Sequence, residues 1–117
     1  MRLGFLTLFS SLLLTLSVPA LGDQDIKKIQ EAIVKIRAIV PSSARTAGSL
    51  GTERDGAGAV IDSKGLILTI GYLILEAESI EVVSSDGKVF EATFVAYDDN
   101  TGFGLVRAKE SLEVTPF

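Results

Sequence analysis

The sequence predicts an all-β domain, a small six-stranded antiparallel barrel. Short segments rich in β-branched residues recur about every ten residues, and clusters of turn-forming residues separate them. No repeat or heptad pattern competes with that arrangement. The chain has 117 residues, of which 47% are apolar and 22% are charged, so it is composed like one globular domain.

Two absences limit the chemistry that this chain can perform. It contains no cysteine, which excludes disulfides, thiolate catalysis and a lipidated leader cysteine. It also contains no histidine, the usual proton shuttle near neutral pH and the commonest metal ligand. We therefore predict no cofactor and no metal. The net charge of −4, without a basic run, predicts no nucleic-acid partner.

The first segment, Met1 to Gly22, has the pattern of a signal peptide. Arg2 supplies the positive charge, Leu3 to Leu16 forms an apolar core, and Ala20 ends a small-residue cleavage site. Cleavage is expected after Ala20 or after Gly22. The apolar core is shorter than the about 20 residues that cross a bilayer, so an uncleaved membrane anchor is the lesser alternative. The remaining domain, residues 23–117, is predicted to be exported to a periplasm or secreted.

The segment from Asp23 to Val40 shows two competing periodicities. Isoleucines at helical spacing would suit one continuous helix, whereas apolar and charged residues alternate from Ala32 onward, as in a half-buried strand. We predict a short helix, capped by Asp23 or Asp25 and reaching about Glu31, and then a strand from Ala32 to Val40. The continuous helix stays open as the alternative.

The next stretch, Pro41 to Asp55, has no apolar period and is rich in Pro, Ser, Gly and Thr. It is predicted to be a mobile surface loop. Ser49 in this loop is flanked by Gly48 and Leu50 and has the surroundings of a turn serine. Nothing around it indicates an activated nucleophile.

The hairpin that follows is the clearest local prediction. Gly56 to Ile61 and Leu66 to Ile70 are strand-like, and the four residues between them, Asp62 to Gly65, favour a tight turn. A short helical turn is expected at Tyr72 to Ala77. Three further strands are predicted, and two turns connect them. The strands are Ser79–Ser84, Lys88–Tyr97 and Phe103–Ala108, and the turns are Asp86-Gly87 and Asp98–Gly102. Apolar residues on both faces of Lys88–Tyr97 predict a strand that is covered on each side.

Two of these stretches resemble trypsin-like serine peptidases of the Deg/HtrA type. The first is the glycine hairpin ending in Thr69, and the second is Y-D-D-N-T-G-F-G-L-V-R, which begins at Tyr97. In that family the hairpin delivers the catalytic histidine and the second stretch carries the catalytic aspartate. Here the histidine position holds Tyr72, Asp98 matches the first aspartate of the motif, and the catalytic aspartate position holds Gly102.

The resemblance extends from Asp25 to Phe117 and implies the first barrel of a trypsin-like fold. It also implies that the chain is inactive. Tyr72 and Gly102 are degenerate positions, and no serine in the chain has the Gly-x-Ser-Gly context in which the family presents its nucleophile. We therefore assign no catalytic residue. An active peptidase that uses a different catalytic group is a minor alternative.

Two functions remain open from the sequence. The chain would be a truncated or degenerate half of a peptidase-like protein that lacks its second barrel. Alternatively, it would be a self-sufficient periplasmic module that binds protein or peptide through a barrel face or an edge strand.

Other candidate sites have simpler interpretations. Asp98 to Asn100 is predicted to be a solvated turn and not a calcium site. Glu76, Glu78 and Glu81 are expected to form an acidic solvent face. Tyr72 is expected to plug the end of the barrel, with its hydroxyl bonded to backbone. Close strand packing explains Gly56-x-Gly58 better than a dinucleotide motif does.

Overall fold

A computed structural model describes residues 22–117 of the chain. The predicted signal peptide lies outside the described residues, apart from Gly22. The elements are α1 (Asp23–Ala32), β1 (Ile33–Ile39), α2 (Ala47–Leu50), β2 (Glu53–Val60), β3 (Leu66–Ile70), a 3-10 helix (Gly71–Leu73), β4 (Ser79–Val83), β5 (Val89–Tyr97) and β6 (Phe103–Ala108). Neither α-helix in this part of the chain combines the length and the apolar character needed to cross a membrane.

The six strands close into one antiparallel barrel in the order β1-β2-β3-β6-β5-β4. Strand β1 closes it by pairing with β2 on one side and with β4 on the other. The predicted fold class is therefore confirmed.

The boundary between α1 and β1 lies where the sequence pattern changes. Gly22 is the residue that caps the helix, because its carbonyl accepts the N–H groups of Asp25 and Ile26 at 3.1 and 3.2 Å. Asp23 and Asp25 lie in the first turn, where their negative charge interacts favourably with the helix dipole. Neither side chain caps the helix. The continuous helix is wrong, since the alternating residues of β1 bury every second side chain in the barrel.

The barrel core is built from the inward-facing residue of each strand. Five side chains in it are completely buried: Ile36, Ala38, Ile67, Val82 and Val106. Leu73 and Ile74 close the end of the barrel at which β3 finishes, each 1% exposed. Close strand packing at Gly58 is confirmed, because a Cβ there would lie 2.6 Å from the Ile67 side chain.

The two hairpin turns depend on aspartates and glycines, as predicted. The Asp62 carboxylate accepts the N–H groups of Lys64 and Leu66, both at 2.8 Å, and Gly65 adopts a φ of 82°. In the second hairpin Gly87 has a φ of 88°, a left-handed conformation that glycine tolerates best.

Two loop and strand predictions need correction. The stretch from Pro41 to Asp55 is not an irregular loop throughout, because it contains α2 and the first three residues of β2. The second half of β5 is not covered on each face: every residue from Thr93 to Tyr97 is exposed. The reason is that β4 pairs with β5 only as far as Ala92.

Candidate functional site

The structure brings together, at one end of the barrel, the segments that carry Tyr72 and Gly102, the two positions that the family resemblance predicts to be degenerate. Strands β3 and β6 are paired there, with Ile70 opposite Phe103. Tyr72 follows the end of β3 and Gly102 precedes β6. The N–H of Gly71 donates a hydrogen bond of 2.7 Å to the carbonyl of Gly102, which joins the two chain segments directly. The Thr69 hydroxyl fixes the same end of β3 by donating to the Ala57 carbonyl at 2.8 Å.

Tyr72 does not plug the barrel. Its side chain is 47% exposed, and no hydrogen bond to its hydroxyl occurs within residues 22–117. The 3-10 turn directs the next side chain, Leu73, into the core instead. Only the carbonyl of Tyr72 is held by a side chain, through a 2.8 Å hydrogen bond from Arg54 Nη1.

Gly102 is part of a turn that its neighbour Asp98 organises. The Asp98 carboxylate accepts the N–H of Asn100 at 3.1 Å and the hydroxyl of Thr101 at 3.0 Å. The N–H of Gly102 donates to the Asp98 carbonyl at 2.8 Å, and Gly102 has a φ of 80°. The predicted solvated turn is therefore correct, and the Asp98 carboxylate is engaged in the turn itself.

We predict that alanine at position 102 is tolerated poorly for a backbone reason alone. A Cβ at Gly102 or at Gly48 would have no neighbour within 4 Å, but only Gly102 has a left-handed φ. Gly102→Ala should therefore reduce the free energy of unfolding by about 1 kcal/mol. Gly48→Ala, in α2, should leave the free energy of unfolding unchanged or raise it by roughly a few tenths of a kcal/mol. Urea unfolding of the two variants checks this, and equal effects would contradict it.

Arg54 ties the loop before β2 to the turn that carries Tyr72. Its side chain is buried, with the residue 3% exposed, and it bonds to four groups. The acceptors are the carbonyls of Tyr72, Leu75 and Gly51 and the hydroxyl of Thr46, at 2.8, 3.0, 3.2 and 2.7 Å. The guanidinium thus fixes the Tyr72 backbone in place while its charge has no carboxylate partner among the described residues.

Glu76 makes a second connection between the same two segments. Its carboxylate accepts the N–H groups of Arg45 and Thr46, each at 2.9 Å. Its own backbone has a φ of 60°, which is uncommon for a residue with a side chain. Glu76 therefore does not belong to a simple acidic solvent face, as the sequence suggested, but holds the loop in place.

These hydrogen bonds lower the pKa of Glu76 below its ordinary value of 4.5, with the Thr46 N–H as the largest cause and the Arg45 N–H next. A carboxyl whose pKa is lower in the folded than in the unfolded protein stabilises the fold above its unfolded pKa. That contribution is lost as the pH falls through the lowered folded value. Two other carboxyls with lowered pKa values, Asp62 and Asp86, contribute in the same direction.

Glu76→Gln should consequently flatten the pH dependence of stability at acidic pH. The wild-type protein should lose stability as the pH falls below 4.5, and the variant should lose less. Urea midpoints measured between neutral and acidic pH test this. Glu110→Gln serves as the matched control, because Glu110 is exposed and has no ion pair among the described residues. A variant with the slope of the wild type would contradict the role of Glu76.

Tyr97 is a further neighbour of the site that the sequence did not single out. Its ring occupies the space where a side chain at Gly71 would lie. The same missing side chain lets the Gly71 backbone approach Gly102, whose carbonyl would be 3.0 Å from a Cβ at position 71. The only sequence signal for this contact was the glycine itself, which is typical of a close backbone approach.

The chemistry available at the site is limited. A serine-peptidase relay needs an imidazole to accept the proton of the nucleophile and a buried carboxylate to orient that imidazole. Tyr72 carries a phenol in place of an imidazole, and Gly102 has no side chain. The arrangement offers hydrogen-bonding groups and apolar surface.

An apolar groove of about 210 Å³ lies beside the site on the outer wall of the barrel. Ile33, Ile70 and Phe103 line it, and they are 43%, 52% and 51% exposed. Strand residues normally place polar side chains on a solvent-facing wall, so this surface is suited to contact with another apolar surface.

Similarity to known proteins extends to serine endoproteases. No protein-family model matches the chain. It is 36% identical over 52 residues to the serine endoprotease DegS of Escherichia coli K12, and 34% identical over 62 residues to DegS of Haemophilus influenzae. It is 31% identical over 61 residues to the periplasmic pH-dependent serine endoprotease DegQ of Escherichia coli K12. These matches cover 44%, 52% and 51% of this chain and only 15%, 18% and 13% of the relatives.

The fold is also that of a serine endoprotease. The crystal structure of the serine endoprotease from Yersinia pestis superposes with a TM-score of 0.61 over 84% of this chain, at 24% sequence identity. The matched part is 32% of that protein. The chain is thus similar in sequence to Deg-type serine endoproteases over about half of its length, and its barrel resembles the trypsin-like fold of a serine endoprotease.

Proposed function

We propose that this protein is an exported, catalytically inactive relative of the Deg/HtrA serine endoproteases that acts by binding protein or peptide. The observation that carries the proposal is the 2.7 Å hydrogen bond between Gly71 and Gly102. It joins the residue before Tyr72 to Gly102 at the barrel end, and the family resemblance assigns the histidine and the aspartate of the relay to positions 72 and 102.

The residues at this place support binding without turnover. The phenol of Tyr72 is a poor general base at neutral pH, and the 117 residues contain no histidine that could replace it. A serine hydroxyl without a base stays protonated and is a weak nucleophile. An exposed tyrosine beside an apolar groove, in contrast, suits contact with another polypeptide.

Export to a periplasm is part of the proposal. The predicted signal peptide at residues 1–22 supports it, and the name of the relative DegQ places that protein in the periplasm. A fusion of residues 1–30 to alkaline phosphatase should yield an active, exported reporter in a bacterial host. Arg2→Glu should reduce the export of the same fusion.

A second candidate is favoured by the apolar groove. Ile33, Ile70 and Phe103 suit a barrel whose outer wall is covered by another domain, so the chain would be a degenerate half-domain beside a second barrel. In the other version of the proposal the single barrel is a self-sufficient binding module. Sedimentation equilibrium and a thermal melt of the full chain separate the two, since a self-sufficient module should unfold cooperatively as a soluble monomer.

Labelled casein tests binding and hydrolysis in one experiment. The full chain should raise the fluorescence anisotropy of partly unfolded, fluorescein-labelled casein, and no acid-soluble fluorescence should accumulate. Hydrolysis that disappears after a substitution within this chain would overturn the prediction of inactivity. The absence of any association with casein, or with a panel of other unfolded proteins, would overturn the binding function.

A further inference from the structure

The second half of β5 is a free strand edge in an otherwise closed barrel. On one side, Thr93 to Tyr97 pair with β6, with a bulge between Phe94 and Ala96. On the other side, the pairing with β4 stops at Ala92 opposite Ile80. Phe94 and Val95 are 51% and 45% exposed on this segment. An unpaired edge with apolar side chains is a template for another strand.

The orientation of the β5 backbone shows which groups are free. The Glu91 carbonyl faces β6, because it accepts the Lys109 N–H at 2.8 Å. Backbone groups alternate along a strand, so those of Ala92 and Phe94 face the opposite way. Ala92 meets β4 there, whereas no described strand lies opposite the N–H and C=O of Phe94.

A groove of about 530 Å³ opens where β4 leaves β5. Phe94 forms part of its wall, and Glu78, Glu81 and Glu91 line it together with Lys109. The Lys109 ammonium is engaged with Glu91 at 3.1 Å.

The two other glutamates leave this groove with a negative charge. Glu78 and Glu81 have no ion-pair partner among the described residues. Arg37 lies opposite Glu81 in the β1–β4 ladder, but its guanidinium is directed to Asp55 at 3.7 Å. The groove therefore complements a positively charged partner.

We infer that the free edge of β5 binds an extended peptide in which apolar and basic residues alternate, as an added antiparallel strand. The inference rests on the proposed binding function and names its site. The peptide lies beside β5, in the position that β4 would occupy if its pairing with β5 extended beyond Ala92. Its main chain pairs with Phe94, its apolar residues contact the Phe94 side chain, and its basic residues meet Glu78 and Glu81.

Three capped, fluorescein-labelled octapeptides serve as probes: one alternates Val and Lys, one alternates Val and Glu, and one has the Val-Lys sequence with N-methyl groups on alternate residues. Anisotropy titrations with the full chain should show saturable binding of the first. The second should bind at least about tenfold more weakly because its charge is reversed. The N-methylated peptide has the same charge but cannot pair as a strand, so it should not saturate. Equal binding of the first and third would overturn the strand-addition site.

Protein variants complete the test. The double substitution Glu78→Lys with Glu81→Lys should weaken the binding of the Val-Lys peptide by about tenfold or more. The control Glu110→Lys, outside the groove, should leave the affinity for this peptide unchanged within about twofold. If the double variant does not fold, the N-methylated probe decides alone. Binding of casein by the wild-type chain, without saturable binding of the Val-Lys peptide to that chain, would reject the β5 site and retain the proposed function. If the wild-type chain bound neither casein nor any of the peptides, both would be rejected.

Discussion

Arg54→Ala is expected to destabilise the protein more than any other substitution of a charged residue in the described part of the chain. The guanidinium is buried and donates to three carbonyls and one hydroxyl. Its removal leaves the carbonyls of Tyr72 and Leu75 without their donor in a site that water enters poorly. An unsatisfied buried polar group costs about 1–3 kcal/mol, so the total loss should be about 3–5 kcal/mol.

A thermal melt followed by circular dichroism measures this loss. For a domain of this size, the melting temperature should fall by at least about 12 °C. Arg37→Ala is the matched control, because Arg37 is exposed on β1 and pairs with Asp55 at only 3.7 Å. That variant should lose less than about 1 kcal/mol. Similar losses for the two arginines would show that burial of Arg54 contributes nothing.

Gly71→Ala is the second substitution with a large expected effect. The added methyl group would overlap the Tyr97 ring and would lie 3.0 Å from the Gly102 carbonyl. Relief requires movement of the ring and lengthening of the hydrogen bond between Gly71 and Gly102. Overpacking of this kind should reduce the free energy of unfolding by about 2–3 kcal/mol.

A double-mutant cycle separates the ring contact from other effects of the methyl group. In a Tyr97→Ala background the ring is absent, so Gly71→Ala should cost at least about 1 kcal/mol less than in the wild type. Urea unfolding of the four proteins gives the coupling energy. A coupling energy near zero would mean that Tyr97 does not occupy the space at Gly71.

The strands and turns of the barrel could be predicted because their signals are local. Alternating β-branched residues predicted β1, and the aspartate and glycine turns predicted both hairpins. The family resemblance, and not any local signal, implied that the segments carrying Tyr72 and Gly102 lie close together. The two residues are thirty positions apart, and no local sequence pattern connects residues at that separation.

The connections around the site could not be predicted, for three physical reasons. Arg54 is a buried charge in a stretch with loop composition, and charged residues are almost never fully buried unless they are paired. Glu76 has a left-handed φ, which its residue type does not favour. The exposure of β5 depends on where β4 stops pairing, which is a property of the barrel register and not of the β5 residues.

Covalent labelling with a fluorophosphonate tests most directly whether the site beside Tyr72 and Gly102 lacks an activated nucleophile. Such probes react with serines whose proton a neighbouring base removes, whatever the substrate preference of the enzyme. Intact-protein mass spectrometry of the full chain, beside a trypsin control, should show the adduct on trypsin only. A stoichiometric adduct on a serine of this chain, with a yield that falls in Tyr72→Phe, would contradict the account.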